Sequence, residues 1–189
     1  MFFRNWNVKA ILQHWLLVAI VVTGLIGLLY AVVQQDIRQG ANDPQIQMAE
    51  DAAAKLAGGQ SAQGVVPSQK VDIATSLAPY LIIFDANGNP IASSAQLDGQ
   101  TPSIPSGVFD SVRKNGEDRI TWQPQSGVRS AIVVTQFTGS ASGFVVAGRS
   151  LREVEKREDG LLHILEAGWI VMMLATSVVT ALLFRKSGA

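Results

Sequence analysis

The chain has 189 residues, 48% of them hydrophobic, with 15 basic and 15 acidic side chains and no cysteine. The absence of cysteine excludes disulfides, thiolate nucleophiles and thiolate metal sites. Residues 34–160 carry 11 basic and 14 acidic side chains, a net charge of −3, and such a surface disfavours a nucleic-acid partner because it repels phosphate.

The first long apolar stretch covers residues 10–33 and contains no formal charge. As a helix it is long enough to cross about 30 Å of hydrocarbon, so it predicts a transmembrane segment. A cleaved signal peptide is the alternative, but its apolar core would be shorter, and no clear small-x-small cleavage site precedes Gln34. Gly27 continues a row of small residues at spacing four, Ala19 and Thr23, which indicates either close contact with a neighbouring helix or simple tolerance of small residues in lipid.

The pattern changes to that of a soluble helix after residue 42. Pro44 suits the first helical turn, apolar residues then recur on one face, and Gly58-Gly59 ends the helix. A polar loop is predicted over residues 60–69, and a short helix over residues 71–78.

A β-hairpin follows. Residues 81–84 form an unbroken apolar run, typical of a strand buried on both faces. Asn87 and Gly88 are expected to supply the positive φ angles of a tight turn, and Pro90 starts the returning strand. Beyond the hairpin, the pattern predicts one more helix and three more strands, at residues 108–114, 119–123, 128–137 and 144–148.

The hairpin turn also resembles a metal site at first sight. Asp85, Asn87 and Asn89 have the spacing of the first ligands of a calcium loop. Pro90 stands where that loop needs glycine, and Gln96 where it needs a bidentate glutamate, so a plain turn is the preferred interpretation. We expect no metal and no cofactor. No enzyme activity is expected either, because both histidines lie in apolar stretches and the usual nucleophile and base pairs are missing.

A second apolar stretch of spanning length covers residues 161–184. Arg4 and Lys9 precede the first stretch, and Arg185 and Lys186 follow the second. The positive-inside rule assigns both of these ends to the cytoplasm. The predicted layout in the cytoplasmic (inner) membrane is a cytoplasmic N terminus (1–9), a transmembrane helix (10–33), an extracytoplasmic domain (34–160), a second transmembrane helix (161–184) and a cytoplasmic C terminus (185–189).

Residues from Leu151 to Ala175, mostly apolar but with Glu158 and Gly168 among them, recur at spacings of three and four, an approximate heptad stripe. The stripe predicts one nearly continuous helix over residues 151–184, weakened at Gly160. Two helices that merely abut are the alternative.

Three ionisable residues lie in the apolar stretches, where charge is costly. His14 and His163 are at opposite depths, which argues against a shared haem site and favours interfacial positions for both. Glu166 lies deeper, with no cation in reach except His163. We therefore predict that Glu166, with Gly27 and Gly168, contacts another membrane protein or a second copy of the chain.

The order helix, two strands, helix, three strands resembles the extracytoplasmic sensory domains of bacterial two-transmembrane receptors, the single-Cache or PAS-like domains. The resemblance rests on the hairpin of residues 84–94, the strand with Trp122, and the exit from the last strand at residues 148–155. It extends from about residue 42 to the chain end and implies an α+β fold, an antiparallel sheet with flanking helices between two transmembrane helices. In such receptors an output domain usually follows the second membrane helix. Here the chain stops at Ala189, so any signal is expected to pass through a partner.

Two functions are open at this point. The first is a membrane-anchored, sensor-like module that binds a small molecule outside the cytoplasm and passes a helix movement to a partner. The second is a structural or accessory subunit that uses the domain as a docking platform in a membrane complex. A polar-lined cavity would favour the first, and a filled core with an exposed apolar patch would favour the second.

In the family that the domain resembles, ligands lie between the sheet and a covering helix and loop, here residues 106–114 and the loop after Ser94. We predict that Trp122 and Arg129 share the ligand face, because a guanidinium near an indole can hold a small anion or carboxylate. Tyr80 and Ser93 would add hydroxyls. The alternative is that Trp122 belongs to the core and Arg129 to the surface.

Overall fold

The computed structural model describes residues 8–40 and 42–184. The basic flanks Arg4, Arg185 and Lys186, on which the predicted topology depends, lie outside these residues. In chain order the elements are α1 (Val8–Gly40), α2 (Asp43–Ala57), α3 (Ala62–Val65), β1 (Val71–Asp72), β2 (Tyr80–Asp85), β3 (Pro90–Ser93), β4 (Ala95–Gln96), α4 (Ser106–Asn115), β5 (Glu117–Gln125), β6 (Val128–Thr138), β7 (Ser142–Ser150) and α5 (Arg152–Leu183).

The chain divides into two compact units. One contains most of α1 and most of α5, and the other extends from Ile37 to Lys156. Both long helices are, by length and composition, long and apolar enough to cross a membrane. α5 passes through Gly160 without a break, which confirms the prediction of one continuous helix.

Within the helical unit, α1 and α5 run antiparallel. The rings of His14 and Phe184 lie 4.4 Å apart, and the Trp169 indole donates a 2.9 Å hydrogen bond to the Thr23 hydroxyl. A small apolar cluster of Ala19, Val22 and Met173 packs between these two contacts.

The other unit is an α+β domain built on a five-stranded antiparallel sheet of order β3-β2-β7-β6-β5. Along β2, alternate side chains enter two separate apolar clusters, one on each face of the sheet. Ile82 and Ile83, which point to opposite faces, are both fully buried, which confirms the prediction of a strand buried on both sides. α2 and α3 cover one face, and α4 with the segment around Ile104 covers the other.

The β2–β3 turn is organised by the Asp85 carboxylate. It accepts hydrogen bonds from the backbone N–H groups of Asn87 (2.9 Å) and Asn89 (2.8 Å) and from the Asn89 side chain (3.0 Å). These donors, the Asn89 side chain first, hold the pKa of Asp85 below its usual range. Gly88 has the predicted positive φ of 84°, but Asn87 does not, so that part of the turn prediction was wrong.

Two other local predictions were also wrong. Residues 71–78 are not a helix. Instead β1 pairs in parallel with β4, and the Asp72 carboxylate then accepts a hydrogen bond from the backbone N–H of Ala74 (3.0 Å), a local turn that competes with helix formation. The predicted loop at residues 60–69 contains the short helix α3, capped by the Ser61 hydroxyl.

The outer strands of the sheet are β3 and β5. β3 has four residues and begins with Pro90. β5 begins with the charged run Glu117-Asp118-Arg119 and contains Pro124 near its end. A proline has no N–H to donate, so both edges of the sheet are interrupted.

Candidate functional site

The register of β5 against β6 decides which of the predicted site residues share a face. Next to the connecting turn Gln125 pairs with Val128, but further along Trp122 pairs with Ser130. A bulge on β5 therefore lies between these pairs. In an uninterrupted hairpin Trp122 would pair with Ala131, whose side chain is on the Arg129 face. The bulge shifts the pairing by one residue, so Trp122 faces the side of the sheet opposite to Arg129. The prediction that Trp122 and Arg129 share a face was therefore wrong.

Arg129 instead holds the start of α5. Its guanidinium forms an ion pair with Glu155, and its backbone carbonyl accepts a 2.9 Å hydrogen bond from the N–H of Leu151. One turn away, the Arg152 guanidinium donates to the Thr75 carbonyl at 3.0 Å. These contacts, which we call the α5 anchor, join the first turn of α5 to the domain and leave Arg129 remote from the Trp122 face.

Tyr80 and Ser93 lie on the Trp122 face. Tyr80 and Trp122 belong to the same apolar cluster, with 1% and 5% of their surfaces exposed. Ser93 pairs with Ile82 of that cluster. Its hydroxyl donates to the Ala95 carbonyl at 2.8 Å, and its own carbonyl accepts from Lys70. Ser93 therefore shapes the end of β3 through bonds within the chain.

The Tyr80 hydroxyl is buried beside Ser130. Neither hydroxyl completes a well-formed hydrogen bond with a described residue, although Ser130 is close enough to lower the Tyr80 pKa slightly. We interpret the two as a close but poorly aligned pair. Burial dominates and raises the pKa of Tyr80 well above its usual range. The ring passes over Gly148, its partner on β7, where a side chain would collide with it.

An open cleft of about 680 Å³ lies at the edge of this face, between the loop of residues 97–105 and the end of β5. Trp122 is one of its walls, and three prolines stiffen both sides. At its lip, Leu97 and Gln100 exchange two backbone hydrogen bonds, 2.9 and 3.0 Å, around a tight turn. Asp98 and Gly99 occupy that turn with φ angles of 51° and 76°. The polar residues that line the cleft are Asp98, Gln100, Thr101, Ser103, Gln123 and Gln125.

The cleft is large enough for a small molecule, since ligand sites typically enclose about 300–1,000 Å³. Amide and hydroxyl groups dominate its polar lining, Asp98 contributes a carboxylate, and no lysine or arginine is among the described lining residues. This chemistry suits a neutral or cationic polar molecule, and it does not favour the anion expected from the sequence. The sequence interpretation missed Asp98 and the glutamines, although the Asp98-Gly99 turn and the nearby prolines marked a shaped loop.

The predicted membrane-helix contact residues divide into two groups. Glu166 and Gly27 line one groove between α1 and α5. Gly168 is not among the residues that line it. A side-chain carbon added at either glycine would meet no described atom within 4 Å beyond the adjacent residues and the backbone of its own helix.

No model of a known protein family matches this chain, and no curated protein and no solved structure matches it either. Its function therefore has to be inferred from the chemistry of the cleft and of the groove.

Proposed function

We propose that this chain is a two-pass protein of the cytoplasmic membrane with an extracytoplasmic, Cache/PAS-like sensory domain that binds a small polar molecule in the Trp122 cleft. The fold assignment is supported by the order α2, β2-β3, α4, β5-β6-β7, which is the order that carries the resemblance. The short strands β1 and β4 are additions to that order.

Membrane insertion is supported by the surfaces of α1 and α5. Many leucine, isoleucine and valine side chains along both helices are more than half exposed, for example Leu25 at 61% and Ile164 at 72%. Each fully exposed side chain of this size would gain roughly 1.5–3 kcal/mol on leaving water, so the two helices are suited to a lipid environment. The basic flanks of the sequence supply the proposed orientation.

One observation favours ligand binding over a docking platform. The domain combines a cleft whose lining is about half polar with a filled core, and an exposed apolar patch is missing from the part of it that the structure describes. Among the described residues 37–156, Ile91 at 44% is the one large apolar side chain with high exposure. Partner surfaces on soluble domains usually show a larger contiguous apolar patch.

The α5 anchor offers a route for a signal. A ligand that moves the end of β5 would also move β6, because the two strands are paired, and β6 carries Arg129 of the anchor. We propose that ligand binding alters the first turn of α5 in this way. A partner protein would then receive the change.

Calorimetric titration of the full chain in mild detergent tests the cleft. The panel contains neutral and cationic amino acids, small amines and polyols, with small carboxylates for comparison. We expect a member of the neutral or cationic group to bind, and Gln125→Ala or Asp98→Ala to weaken it about five- to tenfold, the effect of one lost hydrogen bond.

Arg119→Ala is the matched control, because Arg119 pairs with Val133 on the other face of the sheet and belongs neither to the cleft nor to the α5 anchor. It should leave the affinity unchanged. Arg129→Ala removes an ion pair of the anchor, so through the proposed coupling it should change the affinity less than the cleft variants do. Absence of binding by every compound would favour the docking-platform alternative. Loss of binding in Arg129→Ala with full binding in both cleft variants would show that the site has been placed on the wrong face.

A further inference from the structure

The groove between α1 and α5 combines an apolar lining with one acidic group. Its volume is about 440 Å³, and Gly27, Tyr30, Trp169 and Glu166 are among its lining residues. Glu166 lies five residues inside the apolar stretch that begins at Leu161, which corresponds to about 8 Å along the helix. If the two helices cross the membrane as proposed above, this carboxylate is within the hydrocarbon region.

Glu166 makes no hydrogen bond or ion pair with residues 8–40 or 42–184. Its polar neighbours in the groove are engaged elsewhere. The Trp169 indole donates to Thr23. The Tyr30 hydroxyl accepts from the Gln34 amide at 3.2 Å and keeps its own proton, but it forms no hydrogen bond with Glu166 in the part of the chain that the structure describes. A carboxylate in hydrocarbon is costly unless a cation or hydrogen-bond donors reach it, so the groove lacks a partner for its one charge.

Lipid chains could cover the apolar lining, but they would leave the carboxylate unpaired. A second copy of the chain would bring another Glu166, and its stretches 10–33 and 161–184 contain no lysine or arginine. The candidate cation beside Glu166 in the sequence is His163, whose Nδ1 contacts the Asp159 carbonyl at 2.7 Å, so that only Nε2 could reach a carboxylate of a second copy. The charge is therefore complemented best by a different protein.

The shape of the groove supports the same conclusion. Among the described residues, apart from the adjacent ones and the backbone of α1 itself, no atom lies within 4 Å of the position where a side chain at Gly27 would begin. A neighbouring helix can approach the α1 backbone closely at such a residue. The site for close approach and the unpaired carboxylate lie in the same groove.

We propose that this groove binds a transmembrane helix of another protein, and that this helix carries a lysine or arginine at the depth of Glu166. The inference rests on the two-pass insertion proposed above, but it does not depend on a ligand in the cleft. It identifies the partner by its chemistry, as a membrane helix with one buried basic side chain.

Energy transfer in phosphatidylcholine vesicles tests the proposal with the full chain and synthetic polyleucine transmembrane peptides. One peptide has a single lysine at the depth of Glu166, and the other has leucine there. We expect the lysine peptide to associate about five- to tenfold more tightly, in keeping with polar contacts between model membrane helices. Glu166→Gln should abolish this preference. Gly27→Leu should weaken both peptides by filling the groove, whereas Gly168→Leu, outside the groove, is the matched control.

Two results would overturn the proposal. One is equal association of the lysine and leucine peptides with the unmodified chain. The other is self-association of the chain that requires both Glu166 and His163, which would make a second copy the occupant. Membrane insertion is measured separately. Because the chain has no cysteine, single cysteines can be introduced, and their reaction with a thiol label that does not cross the membrane shows which side each residue lies on. Failed insertion would refute the two-pass layout and the groove proposal together, whereas correct insertion without a lysine preference would refute the groove proposal alone.

Discussion

Replacement of Gly148 by alanine tests the packing beneath the Trp122 face. Gly148 lies on β7 opposite Tyr80. The new Cβ would be 2.3 Å from Cζ, 2.4 Å from the hydroxyl oxygen and 2.5 Å from Cε2 of the Tyr80 ring. Ordinary carbon contacts are about 3.5–4.0 Å, so the end of the ring would have to move by roughly 1–1.5 Å. Tyr80 is 1% exposed, which leaves the ring little space for that movement.

The expected cost follows from two opposing effects. Overpacking of this kind typically destabilises a core by about 1–3 kcal/mol, and the buried ring places this site near the upper limit. Alanine in a strand is favoured over glycine by roughly 0.5–1 kcal/mol, which offsets part of the loss. We expect a net loss of about 2 kcal/mol in the free energy of unfolding. That is roughly a 30-fold rise in the unfolded-to-folded ratio.

Pulse proteolysis of the full chain in mild detergent, over a series of urea concentrations, measures this free energy. In a Tyr80→Leu background the colliding ring atoms are absent, so Gly148→Ala should be neutral or should stabilise by up to about 1 kcal/mol. Gly107 of α4 is a control glycine with no atom within 4 Å of the new Cβ, and its change to alanine should stabilise by up to about 1 kcal/mol. An equal loss from Gly148→Ala in both Tyr80 backgrounds would refute the proposed collision.

Three further predictions concern charge and hydroxyl groups. Arg129→Ala should cost about 0.2–1 kcal/mol by urea unfolding, because the Arg129–Glu155 pair is 47% and 36% exposed, and a loss of several kcal/mol would contradict this. The part of the stability lost in Asp85→Ala that depends on the carboxylate charge should be fully present above the ordinary aspartate pKa of about 3.9, and it should be lost as pH falls from there through the lowered folded-state pKa. Unfolding curves of both proteins from pH 7 to pH 2 should therefore converge in acid, and a difference independent of pH would contradict this. Tyr80→Phe should change stability by less than about 1 kcal/mol at pH 7, since the hydroxyl lacks a well-formed bond. Above about pH 10 the unfolded state ionises Tyr80 more readily than the folded state does, because burial raises the folded-state pKa of Tyr80. The free energy of unfolding should therefore fall more steeply with pH in the wild type than in Tyr80→Phe. Equal alkaline losses in the two proteins would exclude Tyr80 as the cause.

Local sequence signals were sufficient for most of the fold. Pro44 and Gly58 mark the limits of α2 to within one residue at each end. The apolar run of residues 81–84 with Gly88 and Pro90 predicts the β2–β3 hairpin, and the alternation after residue 117 predicts the last three strands. These elements depend on side-chain periodicity and turn chemistry, which act over a few residues.

The elements that were not predicted depend on contacts between distant segments. β1 is two residues long and exists through its pairing with β4, more than twenty residues later. Trp122 and Arg129 illustrate the same limit within a hairpin. Alternation gives the faces of each strand separately, but the bulge near Pro124 sets the phase between β5 and β6. Pro124 was the available signal, because proline within a strand often accompanies a bulge.

If the chain is held in a membrane as proposed, the interrupted edges of the sheet have a further consequence. Tethering concentrates copies in two dimensions, where exposed strand edges would pair and aggregate most readily. Pro90 limits β3, and Pro124 with the charged start of β5 limits the opposite edge. In that setting neighbouring domains could be crowded on one membrane without extending each other's sheets.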